Sequence, residues 1–298
     1  MADISNDELL RLVVATDDET LSTSTSPKQR MLSVAMGVMK KLGYSGSTLV
    51  GTGTPPIVER IFAAYRSLYR PSDLVGGVHG GIFMFRDIFA RIEIPFGCGE
   101  MSISPFKLTD LSEIQLRWLC SNRSSQQMFM DQFIDIFDFA GGVGGLGDYK
   151  TPPKEALEVF WLAAFQLQAA SAALSIAFDS RGAVQSALIG AELALKGGLV
   201  AIGASESERR KHGHDLASAA KAYFAAYTDF DLGRALATIK RLPAFVENRY
   251  SPVQPSRVET GHIVMGAQYI AGEVMRQAAG FSFRSRLDQS SERVYPSR

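Results

Sequence analysis

The stretch from Ser186 to Leu216 constrains the fold of this chain more than any other part of its sequence. Its first part, SALIGAELALKGGLVAIG, places apolar and small residues around most of a helix, which is typical of a helix buried among others. Glu192 and Lys196 interrupt that run one helical turn apart. At this spacing they can pair with each other or with a polar group on a facing helix. The stretch therefore predicts a core helix with an internal polar anchor.

The surrounding segments predict an all-helical second half. Helical patterns run through Lys154–Phe178, Gly182–Ile202, Asp215–Tyr227 and Thr260–Ala279. Residues Asp229–Asn248 either extend the third helix or form a separate one, because Pro243 bends or restarts a helix. Short loops join these segments, so residues 151–298 are expected to form an up-and-down helical bundle.

The first 150 residues have a mixed pattern. Helices are predicted between Asp7 and Tyr69 and from Asp110 to Ala140, and alternating strands between Ile82 and Ile103. The glycine-rich segment Gly141–Lys150 is interpreted as a flexible linker and domain boundary. The predicted fold class is therefore α+β overall, with a mixed α/β region of unknown type at 1–150 and an all-α bundle at 151–298.

Three glycines of that linker, Gly142, Gly144 and Gly147, match the spacing of the dinucleotide-binding fingerprint. The fingerprint needs a strand before the glycines and a helix directly after them, so that the helix N-terminus holds the pyrophosphate. Here a helical pattern precedes the glycines, and Asp148–Pro153 separates them from the next helix. We therefore expect no dinucleotide cofactor at this segment, and no other cofactor is predicted.

Asp131, Asp135 and Asp138 lie at four- and three-residue spacing on a predicted helix. Carboxylates in this arrangement can bind a divalent metal ion. Aromatic residues recur at helical spacing on the other side of the helix, where the core is expected. The preferred interpretation is therefore a solvated acidic face, and no metal site is predicted.

His79 lies between two glycine pairs, and the expected environment of such a histidine is a solvated turn. An enzyme site within residues 75–106 is the alternative. It would combine His79 with Arg86, Asp87 and Glu93, and it requires these side chains to converge in space.

The composition excludes several classes of protein. Lys+Arg and Asp+Glu both number 31, so there is no global charge that favours nucleic acid, and any basic site must be local. Two cysteines, Cys98 and Cys120, provide neither a disulfide framework nor metal-ligand spacing. The N-terminus lacks the pattern of a signal peptide, and no uninterrupted run reaches the roughly 20 apolar residues of a membrane helix. A cytoplasmic protein without membrane contact is expected.

The order of three motifs carries a resemblance to a known family. The sequence has AELALK at residues 191–196, HDL at 214–216 and ENRY at 247–250. This set resembles the higher eukaryotes and prokaryotes nucleotide-binding (HEPN) domain over about residues 153–280. The resemblance implies a bundle of four or five helices that forms a homodimer and binds a nucleotide or RNA. It also implies a structural signature made of Glu192, Lys196, Asp215, Arg249 and Tyr250.

Ribonuclease members of that family carry an arginine and then a histidine after four to six residues. The resemblance implies a metal-independent cleavage in which Arg257 holds phosphate and His262 moves a proton. Arg257 stands at the start of the last predicted helix, as the resemblance requires. Val258 follows it, where active members have Asn or Asp, and no tyrosine stands two residues after His262.

A second match to this spacing lies at the basic sequence RRKHGH. At a helix N-terminus these side chains could bind a phosphate of a nucleotide or RNA. The predicted phosphate-binding residues are Arg209, Arg210, Lys211, His212 and His214. The leading hypothesis is thus a nucleotide- or RNA-binding protein. For an enzyme, the resemblance implies a metal-independent endoribonuclease in a toxin–antitoxin or phage-defence setting. The alternative is a non-catalytic helical protein that dimerises and docks a protein partner.

Overall fold

The chain consists of two compact units, Met1–Gly76 and Gly77–Arg298. The computed structural model describes residues 4–21, 26–44, 55–74, 77–95, 103–145, 150–176, 180–227, 232–244, 252–280 and 282–288. The predicted boundary between residues 150 and 151 does not coincide with this division. The reason is that the strands and helices between residues 78 and 145 share one hydrophobic core with the C-terminal helices.

The first unit is built from three helices, α1 (Asn6–Thr20), α2 (Pro27–Lys41) and α3 (Pro56–Ser67), with a short 3₁₀ turn at Pro71–Leu74. Capping boxes start α1 and α2, where Ser5 pairs with Glu8 and Ser26 with Gln29. The core contains Leu9, Val13, Val34, Val38 and Ile61. This unit is therefore helical in its described residues, and the strands of the predicted mixed region belong to the second unit.

A buried polar network lies inside the first unit. The Asp17 carboxylate accepts a hydrogen bond from Arg30 Nε at 3.1 Å and from the hydroxyls of Tyr65 and Tyr69. Burial, and next the charge of Asp17, raises the pKa of the Tyr65 hydroxyl. The network joins all three helices and the segment after α3, so it is a structural feature of this unit.

The second unit begins with an antiparallel hairpin of β1 (His79–Phe85) and β2 (Ile88–Ile94). Arg86 and Asp87 form its turn, and Arg86 has a φ of 61°. The helices that follow are α4 (Glu113–Cys120), α5 (Arg123–Gly144), α6 (Lys154–Ile176), α7 (Arg181–Ala201), α8 (Glu206–Lys211), α9 (Leu216–Phe224), α10 (Leu232–Ile239), α11 (Arg257–Ala279) and α12 (Phe283–Asp288). The fold is thus mostly helical with one small sheet, which agrees with the α+β class.

Helix α7 lies in the middle of this unit, packed against α6 on one side and α11 on another. Small residues permit the close approach. A Cβ added at Gly197 would lie 2.8 Å from the Phe160 ring, and one at Gly198 would lie 2.7 Å from Val274. The hairpin packs on α5, α6 and α11. The predicted core helix is therefore present, and its glycines allow its neighbours to pack closely.

The predicted linker is partly helical. Gly142 and Gly144 lie in the last turns of α5, facing Met275 and Val78, and Gly145 ends the helix with a φ of 63°. Residues 146–149 lie outside the described residues. Because helix α5 packs against α11, its C-terminal glycines belong to the core rather than to a linker.

Two helices, α6 and α7, are long and apolar enough to cross a membrane by length and composition alone. In α7, 61% of the apolar window is buried inside the protein, whereas in α6 the buried share is 39%. Leu162 and Phe165 of α6 are accordingly 52% and 56% exposed. Helix α6 thus has an exposed apolar face.

Candidate functional site

Glu192, Lys196 and His214 form a polar cluster at the surface of α7. Lys196 Nζ donates to Glu192 Oε1 at 2.5 Å, and His214 Nδ1 lies 2.9 Å from Glu192 Oε2. An ionised carboxylate only accepts hydrogen bonds, so Nδ1 of His214 is the donor. The side chain of Glu192 is 12% exposed, that of Lys196 26% and that of His214 55%. The carboxylate therefore lies at the base of the cluster, with the two basic groups nearer to solvent.

The turn between α8 and α9 places His214 in this cluster. Gly213 has a φ of 52°, in the left-handed region that glycine adopts without strain. The turn lets His214 reach back to a carboxylate 22 residues earlier in the chain. Asp215 then caps α9, because its Oδ1 accepts a hydrogen bond from the Ser218 amide at 3.0 Å.

A cavity of about 270 Å³ opens beside the cluster. Glu192, His214 and Asp215 form its polar end. Its other walls are apolar and come from α7, α9, α10 and the segment after α10: Leu188, Leu216, Ala217, Ile239, Leu242, Pro243 and Ala244. A small concave site with apolar walls and a few polar groups at one end is typical of a small-molecule site. A histidine held by a carboxylate is also an arrangement that supports proton transfer.

The basic residues before His214 lie at the C-terminal end of a helix. Arg209, Arg210 and Lys211 form the last turn of α8, whose N-terminus is capped by Ser205 and Glu208. The expectation of a helix N-terminus at these residues is therefore wrong. Free amides cannot hold a phosphate here, and a helix C-terminus instead favours the positive side chains themselves.

Several of these basic side chains have partners within the protein. Arg210 pairs with Glu206 on the exposed face of α8, and His212 Nδ1 lies 2.8 Å from Ser218 Oγ. Arg209 Nε is buried and makes no hydrogen bond to the described residues. Any phosphate contact at this turn would therefore use side-chain charge alone.

Arg257 and His262 both belong to α11. Arg257 Nε donates to the Asp87 carbonyl at 2.8 Å, and its guanidinium lies 4.3 Å from the centre of the Phe89 ring. His262 is exposed. Residues five apart on an α-helix are separated by about 140° around the axis, so the two side chains leave α11 on different faces. The arginine contacts the turn of the hairpin, a feature that the sequence motif does not indicate.

The three aspartates of α5 are buried rather than solvated. Asp131, Asp135 and Asp138 are at most 1% exposed. Arg276 of α11 donates to Asp135 at 2.8 Å and to Asp138 at 2.6 Å. The prediction of a solvated acidic face is therefore wrong, because the three aspartates are buried and Arg276, from a distant helix, compensates Asp135 and Asp138. Within the described residues, no group of histidine, cysteine and acidic side chains could hold a metal ion.

This arginine cluster extends to the C-terminal helix. Glu273 accepts from Arg276 at 3.1 Å and also from Arg284. Asp138 accepts from the Phe283 amide at 2.7 Å. The sequence signal for the cluster is the pair Glu273 and Arg276, which interrupts an otherwise apolar helix at three-residue spacing.

His79 is buried on β1, so the expectation of a solvated turn is wrong. Gln168 Nε2 lies 3.2 Å from its Nδ1, and its ring packs edge-on against Phe139. Burial lowers the pKa of His79 to about 4. His79 pairs with Ile94 at one end of the hairpin, and the turn lies at the other, about 20 Å away at the strand rise per residue.

The alternative enzyme site is therefore not assembled. Glu93 lies near the His79 end of the hairpin, opposite Gly80, whereas Arg86 and Asp87 form the turn at the other end. His79 is buried, and Arg86 lies over the Trp118 ring at 4.7 Å. These side chains do not converge.

Comparison of the chain with protein family models, curated proteins and solved structures finds no match. The HEPN resemblance therefore rests on the order of its motifs. Of the signature residues, Glu192, Lys196 and Asp215 lie in or beside the polar cluster. Arg249 and Tyr250 lie outside the described residues.

Proposed function

We propose that this chain is a HEPN-like protein that binds a nucleotide or an unpaired nucleotide of RNA in the cavity between α7, α9 and α10. The observation that carries the proposal is the cavity of about 270 Å³, whose polar end includes His214. His214 follows closely after the last turn of α8, Arg209–Lys211, which is called the basic turn below. The motif resemblance supports the same ligand class. Two of the three motifs, AELALK and HDL, supply the polar end of this cavity.

The base and the phosphate of a nucleotide would contact different parts of the site. Apolar walls accept the face of a nucleobase, as in other single-strand sites where bases lie against apolar or aromatic side chains. Positive charge for a phosphate comes from Lys196, which binds Glu192, and from the exposed Arg210 and Lys211, which precede His214 by four and three residues. Phosphate contacts of this kind position a ligand without reading its sequence. In a chain with zero net charge, such a local group of cations is what the proposal requires.

The cavity can be blocked without disturbing the core. Ala244 lines it and is exposed, so Ala244→Trp fills the opening; Ala225, exposed at the end of α9, offers a matched control as Ala225→Trp. We expect Ala244→Trp to lower the affinity for labelled single-stranded RNA and mononucleotides at least tenfold in fluorescence anisotropy and calorimetry. The control should bind as the wild type does. Equal binding by all three proteins would contradict the proposed site.

The ribonuclease hypothesis assigns phosphate to Arg257 and proton transfer to His262. It requires Arg257 to leave the Asp87 carbonyl and the Phe89 ring when RNA binds. Incubation of a labelled RNA pool with wild type, Arg257→Ala and His262→Ala tests the assignment. Cleavage that both variants lose supports it, and cleavage that both retain, or absence of cleavage by the wild type, contradicts it.

A second candidate function is homodimerisation through the exposed face of α6. Leu162 and Phe165 are more than half exposed, and the Trp161 ring lies 6.0 Å from that of Phe165. Light scattering measures the oligomeric state directly. If the face forms the interface, Leu162→Lys with Phe165→Lys gives a monomer, while Glu113→Lys, at an exposed position of α4, remains a dimer. A dimer in both variants excludes this face.

A further inference from the structure

The polar end of the cavity is dominated by hydrogen-bond acceptors. Glu192 and Asp215 are the two acidic residues among its described lining residues, and His214 is the one basic residue. Each oxygen of Glu192 already accepts one hydrogen bond, from Lys196 or His214. A carboxylate has about four acceptor positions, so two remain on Glu192. Asp215 uses Oδ1 for the Ser218 amide, and its Oδ2 accepts no hydrogen bond within the described residues.

This arrangement sets the orientation of a nucleotide. A phosphate at the polar end would face two carboxylates at short range, which is electrostatically unfavourable. The basic turn outside the cavity offers it arginine and lysine side chains instead. The base is therefore the part that enters, and its edge meets the carboxylates.

Carboxylates distinguish bases by the groups on that edge. An exocyclic amino group donates to a carboxylate, whereas a keto oxygen at the same position places two acceptors against each other. A keto oxygen placed at these two carboxylates would displace water from their remaining acceptor positions without offering a donor, and that loss costs affinity. The site thus discriminates between bases of nearly the same shape.

We propose that the cavity selects bases with an amino group at purine C6 or pyrimidine C4, which are adenine and cytosine, over the bases with a keto oxygen at that position, hypoxanthine and uracil. The cavity of about 270 Å³ accommodates one base, with its amino group at Glu192 and Asp215 and its phosphate at the basic turn. This inference rests on the proposed function, and it adds the selectivity of the same site.

Calorimetry with AMP and IMP provides the central test, because the two ligands differ at the amino position. We expect AMP to bind the full chain on the order of tenfold more tightly than IMP, and CMP to bind similarly more tightly than UMP. Oligomers of A and of U, measured alongside, separate a free nucleotide from an RNA segment as the source of the base. Preference for A in both formats assigns the recognition to the base itself.

Variants assign the preference to the two carboxylates. Glu192→Gln and Asp215→Asn each remove a charge, and asparagine retains the ability to cap α9. Each variant should reduce the AMP-to-IMP ratio several-fold, while Glu206→Gln, an exposed acid of α8 outside the cavity, should leave it unchanged. Circular dichroism melting verifies that the variants are folded, and the wild-type comparison does not depend on them.

The outcomes separate this inference from the proposed function. If no nucleotide or RNA binds, both are overturned. If AMP and IMP bind the wild type equally, the selectivity is overturned and the binding site stands. If the wild type discriminates but Glu192→Gln and Asp215→Asn both discriminate to the same degree, the assignment to these carboxylates is overturned.

Discussion

Two groups of charged residues in the second unit differ in their access to water. In the arginine cluster, Arg276 and its partners Asp135, Asp138 and Glu273 are at most 2% exposed. In the polar cluster, exposure rises from 12% at Glu192 to 55% at His214. Both contain carboxylates on core helices, but only the polar cluster adjoins the described cavity. A closed ion cluster stabilises one packing arrangement, whereas a cluster that adjoins a cavity can exchange its partners for a ligand.

The largest effect is expected from breaking the closed cluster. Arg276→Met leaves three buried carboxylates without their shared cation and should lower the free energy of unfolding by about 3–5 kcal/mol. Urea denaturation measures the loss, with Lys221→Met, a change of an exposed cation on α9, as the control. A loss below about 1 kcal/mol would mean that the carboxylates do not depend on Arg276.

The next largest effect on the free energy of unfolding is expected from His79, a buried titratable residue outside both clusters. Burial lowers the pKa of His79 from 6.5, the value of an exposed histidine in the unfolded chain, to about 4 in the folded chain. Between these two pH values the unfolded chain binds a proton that the folded chain does not. The free energy of unfolding is therefore unaffected by protonation of His79 above pH 6.5 and decreases as the pH falls from 6.5 toward 4. The loss over this window is about 3 kcal/mol, at 1.36 kcal/mol per pKa unit.

Comparison with His79→Asn isolates this contribution from that of the carboxylates. The free energy of unfolding, measured at several pH values, should fall more steeply below pH 6.5 in the wild type than in the variant. Parallel pH profiles would show that His79 takes up its proton without unfolding.

Glu192→Gln tests how much the polar cluster contributes to the free energy of unfolding. Lys196 and His214 are partly exposed, so water replaces much of what they lose, and the expected loss is about 1 kcal/mol. Urea denaturation under the same conditions as for Arg276→Met allows a direct comparison. A loss as large as that of Arg276→Met would show that the polar cluster stabilises the fold as the closed cluster does, and the contrast between them would disappear.

The smallest effect on stability is expected at the basic turn. The Arg210–Glu206 pair is exposed on both sides, so Arg210→Ala should leave the free energy of unfolding unchanged within error. If Arg210 contacts a phosphate as proposed, the same variant should lower RNA affinity and reduce its salt dependence. An unchanged salt dependence would exclude the turn from binding.

Local sequence signals predicted the polar cluster better than the closed one. The pairing of Glu192 with Lys196 follows from four-residue spacing, and Asp215 was predicted to start a helix. In the arginine cluster only the Glu273–Arg276 pair has a local signal. Its contacts to Asp138 and Asp135 join residues 138 and 141 positions apart, and a single sequence does not show which distant residues pair. For the same reason, three aspartates that the structure buries were expected to be solvated.

Two other differences between the prediction and the structure have separate causes. The Ser205 and Glu208 capping box starts a helix of only six residues, which moves the basic residues from a helix start to a helix end. This signal was present in the sequence. The burial of His79 was not, because it depends on Gln168 and Phe139 from two later helices.

The Asp215 cap has a consequence for how binding can be detected. The same carboxylate starts α9 and lines the cavity, so a ligand that draws on it is linked to the local opening of that helix. Hydrogen exchange at the Ser218 amide, which donates to Asp215 Oδ1, therefore reports on occupancy without any label on the ligand. Exchange at the first turn of α9 would therefore change when a ligand occupies the cavity.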